Sequence, residues 1–311
     1  MTLALISAAL RRRPFTLLYA ALLLAAFASL IGAPVPLWHM ALSPDQRRMI
    51  LEVTEPKNTT TDLWMCDLES GITTRLTFTP KFEWQATWSP DGSRIYFGSN
   101  QTDNSDVYSI PAAGGTPSLV YHAAVIQAPL DVSRDGKYLL VYDTSSAAGN
   151  GDIIAVPLAG GAPILVANSP FQESRARFSP DGKWIAYTSN KSGQNEVYLQ
   201  DFPAVGRSIQ VSLQGGDHPA WRADGRELYF ISGNKFIAVP VEATAPDLRL
   251  GHPAPLFDLP MGAFGESYSR YRFAVAKNGR EFYVSRQISP RTDSPIHIMM
   301  NATPNLEAAK R

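Results

Sequence analysis

Three features of the sequence bring together residue types that do chemistry. In "FSPDGKWIAYTSN", Phe178–Asn190, a serine, an aspartate and a glycine stand within four positions, ahead of an apolar run. In "GESYS", Gly265–Ser269, a serine sits in a near-match to the strained strand-to-helix turn from which hydrolases expose a nucleophile. The third feature is a column of one residue per repeat that includes His39, Gln85, Arg175, His218 and Arg272, with Arg177 and Arg270 nearby. Guanidinium and imidazole groups gathered in this way suit a carboxylate or a phosphate-bearing ligand.

The first feature loses its catalytic reading because it recurs. The same thirteen-residue frame stands earlier as "WSPDGSRIYFGSN", Trp88–Asn100. A catalytic site is needed once per domain, whereas a fold-building turn is needed once per repeat. The second fails because "GESYS" lacks the final glycine and no alternating strand-helix region follows it. Metal chemistry has no short-spaced histidine pair among His39, His122, His218, His252 and His297, and the single Cys66 excludes an intrachain disulfide or a thiolate zinc site. The sequence therefore assigns no catalytic residue, no metal ligand and no cofactor.

The elements that would position the third feature follow from the repeat. Marked at the fourth turn position, the frame ends at Gln46, Gly92, Gly136, Gly182, Gly225 and Gly279, at intervals of 46, 44, 46, 43 and 54 residues. Periods of this size with four short strands each are those of propeller blades. Proline presets one turn angle, Asp suits the next position, and Gly accepts the left-handed conformation that closes the hairpin; Gln46 breaks that rule and should strain or loosen its turn. After each turn comes a nearly continuous apolar run such as "RIYFGS" or "WIAYTS", as expected of a strand covered on both faces. A second hairpin recurs as "PAAGGTPSLV" and "PLAGGAPILV". The sequence thus predicts an all-β, six-bladed β-propeller over residues 34–311, with no second domain.

Aligned on the turn, the residues one and three places before the turn serine position are apolar in all six repeats: Leu42, Trp88, Val132, Phe178, Trp221 and Val275, then Met40, Ala86, Leu130, Ala176, Pro219 and Phe273. They should form an inter-blade layer. Four places before it stand His39, Gln85, Pro129, Arg175, His218 and Arg272. These begin the innermost strands and should cluster at one mouth of the central channel. With Arg177, they either bind an acidic peptide or small anion, or are neutralised by Glu83, Glu173, Asp217 and Glu266 and tie blades together. Trp38, Trp84 and Trp221 offer either a peptide-binding rim or inter-blade packing.

The amino terminus differs in kind. Arg11, Arg12 and Arg13 precede "PFTLLYAALLLAAFASLIGA", and no charged residue follows until Asp45. Residues 1–33 read as a signal peptide or a membrane anchor, with the remainder outside the cytoplasm; alternatively Leu30–Pro36 supplies a ring-closing outer strand. With 28 basic and 28 acidic residues the net charge is zero, which removes the electrostatic case for a nucleic-acid partner.

The "FSPDG" repeats, "DLWMCDLESGITTRLTF" and "QNEVYLQDFP" resemble the TolB-like, WD-repeat-like β-propellers of bacteria. Together with "HPAWRADGRELYF" and the ending "SPIHIMMNATPNLEAAK", they look like the propeller half of membrane-bound bacterial serine/threonine kinases. No glycine-rich phosphate loop, "HRD" or "DFG" triplet is present, so no kinase residue carries over. The N-terminal segment and the missing catalytic motifs favour a non-catalytic module of the cell envelope, periplasmic or tethered to the inner membrane, that binds a protein, peptide or small anion. The alternatives are the detached sensor half of a kinase system, or a propeller hydrolase, lactonase or peptidase-accessory domain.

Overall fold

The computed structural model describes residues 37–54, 60–102, 104–144, 150–243, 248–259, 271 and 273–284. The N-terminal hydrophobic segment, 1–33, lies outside the described residues, as do Arg272, Arg270, Glu266 and the strand expected at "IHIMM". Within them every regular element is a strand, and no helix is long and apolar enough to cross a membrane.

Four sheets follow one plan, four antiparallel strands in chain order. Blade 1 comprises Leu37–Leu42, Arg48–Thr54, Thr61–Asp67 and Thr73–Arg75, and blade 2 Glu83–Trp88, Arg94–Ser99, Asp106–Pro111 and Ser118–Tyr121. Blade 3 comprises Gln127–Val132, Tyr138–Asp143, Asp152–Pro157 and Ile164–Ala167, and blade 4 Glu173–Phe178, Trp184–Ser189, Glu196–Asp201 and Ser208–Gln210. Blade 5 has five strands: Asp217–Trp221, Glu227–Ser232, a nine-residue third strand Lys235–Ala243, and two short partners of it, Arg249–Leu250 and Ala254–Asp258. That extended third strand and its two partners take up part of the longest repeat interval.

The six-bladed expectation is corrected here to five blades. The sixth repeat contributes a two-stranded sheet, Phe273–Val275 with Phe282–Val284, among the described residues. The shorter sheet still occupies a ring position. The first strands of successive blades contact one another, and Phe273–Val275 contacts the first strand of blade 1. On its other side, Phe273, Phe282 and Val284 pack with Tyr229, Ile231 and Phe236 of blade 5. Its Ala276 and Tyr283 pack with Met40, Met49 and Trp64 of blade 1.

Burial explains why the second strands are apolar throughout. Ile95 and Phe97 point into the blade 1–blade 2 cluster, while Tyr96 points into the blade 2–blade 3 cluster. Six such clusters alternate with the sheets around the ring. A fully covered side chain such as Phe97 or Phe236 contributes roughly 2–3 kcal/mol.

The S-P-D-G stretch is the corner between first and second strands. In blade 2, Ser89 Oγ donates to Asp91 Oδ1 at 2.5 Å and accepts from Arg94 N at 2.9 Å, and Gly92 N closes the turn on Ser89 O at 2.9 Å. Gly92 has φ 70°, the left-handed region. The Ser89 hydroxyl and the Ser93 amide pull the exposed Asp91 carboxyl down to about 2. At Gln46 the chain adopts φ 63° without glycine, and the Gln46 amide oxygen accepts from Lys277 N at 2.8 Å. The residue expected to loosen its turn instead ties blade 1 to the sixth sheet.

Candidate functional site

A bulge in each of the first strands of blades 2, 4 and 5 positions the predicted column. Pairing jumps from Trp84↔Gly98 to Thr87↔Tyr96, from Ser174↔Thr188 to Arg177↔Ala186, and from Asp217↔Ile231 to Ala220↔Tyr229. Gln85, Arg175 and His218 are the residues set in these irregularities, with φ of 52°, 54° and 55°. Left-handed backbone at a non-glycine residue costs about 1–3 kcal/mol and re-aims the side chain. Blade 3 has Pro129 at this place, whose ring excludes positive φ, and its first strand is bulged one residue later, at Leu130, between the pairs Pro129↔Val141 and Asp131↔Leu140.

The column is buried: His39, Gln85, Arg175 and His218 are all at most 5% exposed. The column is joined by a buried residue that the repeat alignment does not single out, Tyr271. Its backbone belongs to the sixth position, where Tyr271 N donates to His39 Nδ1 at 2.9 Å and Tyr271 O accepts from Met40 N at 3.0 Å. Its hydroxyl reaches Arg175 O at 2.7 Å and Pro219 O at 3.0 Å. Arg177 lies over its ring at 3.9 Å and His218 meets the ring edge-on at 5.6 Å. Tyr271 thus links the first strands of blades 1, 4 and 5, through its backbone to blade 1 and its hydroxyl to blades 4 and 5. Desolvation pushes the Tyr271 phenol well above the ordinary tyrosine range.

The two described arginines have carboxylate partners. Arg175 Nη1 lies 2.7 Å from Asp217 Oδ1, which also accepts from His218 N at 2.8 Å and Thr188 Oγ1 at 3.0 Å. Desolvation raises the Asp217 carboxyl, but His218 and Arg175 together hold it below its ordinary range. Arg177 Nη1 stands 3.7 Å from Asp131 Oδ1 and donates to Leu130 O, while Phe178 N donates to Asp131 Oδ2 at 2.9 Å. Burial drives the Asp131 carboxyl up despite Arg177. His39 joins blades through Ala86 O at 2.9 Å. Gln85 differs: its backbone N donates to Glu52 Oε2 at 2.9 Å, whereas both atoms of its side-chain amide lack a partner among the described residues.

The structure therefore brings His39, Arg175, Arg177 and His218 together around Tyr271, with Gln85 in the same column and Arg272 outside the described residues. Of the four neutralising acids expected, Asp217 pairs with Arg175, while Glu83 and Glu173 are held by Thr79 and by Ser169 and Ser189. Asp131 was missed because it aligns with no other acid. Trp88 and Trp221 are inter-blade ties, donating to Ala41 O at 3.0 Å and Arg177 O at 3.3 Å. No group of three or more His, Cys, Asp or Glu side chains among the described residues could hold a metal ion.

On the face opposite the column, adjacent corners leave clefts between blades. One of about 450 Å³ lies between blades 2 and 3, lined by Ser93, Arg94, Tyr96 and Arg134. Another of about 120 Å³ lies between blades 4 and 5, lined by Trp184, Trp221 and Leu248.

No protein-family model matches the chain, and no curated protein does. Solved structures do. A putative TolB from Agrobacterium tumefaciens is 19% identical with a TM-score of 0.58, over 73% of this chain and 82% of that one. TolB from Acinetobacter baumannii is 18% identical with a TM-score of 0.60 over 89% of this chain, which spans 64% of the TolB length. An oligogalacturonate lyase in complex with manganese is 10% identical with a TM-score of 0.58, over 88% and 92% of the two chains. Identities this low establish the β-propeller fold and leave the activity open, since one propeller hosts many functions.

Proposed function

We propose that the protein is a non-catalytic β-propeller of the cell envelope, tethered to the membrane by its N-terminal segment, that binds a protein or peptide partner. The observation that carries this reading is the burial of the column around Tyr271. With the arginines beneath it engaged by Asp217 and Asp131, recognition falls to the surfaces of the ring. The corner face has the clefts for it, with Arg94, Tyr96 and Arg134 in one and Trp184 and Trp221 in the other; arginine and aromatic side chains are the usual anchors of protein interfaces. The TolB-like fold and the arginine-flanked apolar segment are consistent with a periplasmic body.

The test is photo-crosslinking in cells from Arg134 and Asp224 on the corner face. The reading expects one discrete protein adduct that is lost when Tyr96 or Trp221 is replaced by alanine. A tightly held stoichiometric divalent ion in the purified protein, or hydrolytic or lyase turnover, would replace this reading with an enzyme. A specific adduct with a kinase chain would assign the protein as the detached sensor half of a kinase system.

One observation favours a second reading. The unpartnered amide of Gln85, buried in its left-handed bulge, would suit a small anionic ligand held with His39, Arg175, Arg177, His218 and Arg272 once Tyr271 moves aside. Charge reversal of Arg175 and Arg272 with unchanged binding in a ligand screen would remove it.

A further inference from the structure

The links that carry the chain from the last strand of one blade to the first strand of the next share a surface property. Phe78 and Phe82 between blades 1 and 2 are 73% and 42% exposed, Ile126 between blades 2 and 3 is 56%, Phe171 between blades 3 and 4 is 43%, and Leu213 between blades 4 and 5 is 77%. Five of the eight large, exposed apolar side chains among the described residues thus fall in four equivalent links. All four lie on one face of the ring, where the first strands begin, and backbone bonds from Asn100, Thr144 and Asn190 tie three of them to neighbouring loops of that face.

The links themselves carry little charge. The links "LTFTPKF", "HAAVI", "NSPFQ" and "VSLQGG" contain no Asp or Glu, and their ionisable residues are Lys81 and His122. Blade 1's first strand begins at Leu37, and so on the face of the links. From Gly32, where the apolar N-terminal run ends, to Leu37 is five residues, a reach of at most roughly 17 Å.

We infer that the link face lies flat on the bilayer, with Phe78, Phe82, Ile126, Phe171 and Leu213 dipping into the interface. This rests on the tethered reading above. Isolated apolar side chains at equivalent positions around a ring reach a common plane, which matches a lipid surface better than a partner's groove. Interfacial insertion of this kind scales with the apolar area buried and is aided by anionic lipid.

The experiment uses the full chain in vesicles of phosphatidylethanolamine and phosphatidylglycerol, carrying an environment-sensitive thiol label at Phe171→Cys, or at Asp135→Cys on the corner face. Cys66 is buried and does not compete for label. Flotation reads the tether, and quenching by brominated lipid reads the docking. The inference expects flotation of both variants, with a blue shift and several-fold stronger quenching at position 171 than at 135. Flotation with equal, weak quenching at both overturns the docking and leaves the tether standing. Failure to float overturns both. A blue shift at 171 that requires added envelope protein would assign the face to a protein partner and likewise overturn it. The triple variant F78S/F171S/L213S, which touches no buried residue, should lower quenching from Ile126→Cys several-fold without changing flotation.

Discussion

The corners of the blades and the axis of the ring use the same few residue types, and they use them oppositely. At a corner, serine, aspartate and glycine satisfy one another within five residues, in water, and the arrangement repeats in blades 2, 3 and 4. At the axis, histidine, arginine, aspartate and tyrosine satisfy one another across 96 residues for Tyr271 with Arg175, and 232 for Tyr271 with His39, and no contact repeats. Local polar networks build a blade; the long-range network turns five blades and a short sheet into a ring.

That contrast can be tested by damaging each region, beginning with the axis. Tyr271→Ala removes a buried ring and the bridge between blade 1 and blades 4 and 5, and should cost about 3–5 kcal/mol in urea denaturation. Tyr271→Phe keeps the ring over Arg177, abandons two buried carbonyls, and should cost about 1–3 kcal/mol. Equal, negligible effects from both would mean that the axis is not what closes the ring.

Next is the ion pair. Arg175→Met leaves Asp217 charged and partly buried, and should cost about 3 kcal/mol, whereas Arg175→Met with Asp217→Leu should recover most of that loss. No recovery in the double variant would make the two side chains energetically independent.

A third effect is linked to pH. Burial pushes the Glu83 carboxyl up to about 7, with the Asp62 carboxylate adding to the shift. The folded state then holds a proton that the unfolded chain releases. Stability should therefore fall as pH rises from about 4.5 to 7, by at most roughly 3 kcal/mol, and stay lower above that. Asp152, raised to about 6 by burial and by Glu173, steepens the same window. Glu83→Gln should flatten the slope and stabilise the protein at neutral pH; an unchanged slope would place the proton elsewhere.

The smallest effects belong to the corners. Gly136, at φ 71° with open space where a Cβ would project, should lose about 1 kcal/mol on Gly136→Ala through backbone strain alone. Gln46→Gly relieves a similar strain but gives up the bond from Lys277 N, so melting should shift by less than for Gly136→Ala. A large loss at Gln46 would make that corner part of ring closure.

What was legible in the sequence divides along the same line. The corner frame, the covered second strands and the apolar layer at Met40, Ala86, Leu130 and Ala176 could be read because each recurs. The column His39, Gln85, Arg175, His218 was located for the same reason, since a bulge recurs with the strand. Its burial was not legible, because that depends on Tyr271 and Asp131, single residues whose partners are distant in sequence. The blade count was over-read: six turns are present, but a turn specifies two strands, and the sixth turn is followed by a two-stranded sheet among the described residues.

The central claim is that Tyr271 is a buried junction between the first strands of blades 1, 4 and 5. The most direct test is a pH titration of the Tyr271 Cζ resonance in protein labelled with ¹³C at tyrosine Cζ, assigned by its loss in Tyr271→Phe. A buried, hydrogen-bonded phenol predicts a resonance that stays at its protonated position through about pH 11, a unit above an ordinary tyrosine. A midpoint near that of free tyrosine would show a phenol open to water and contradict the account.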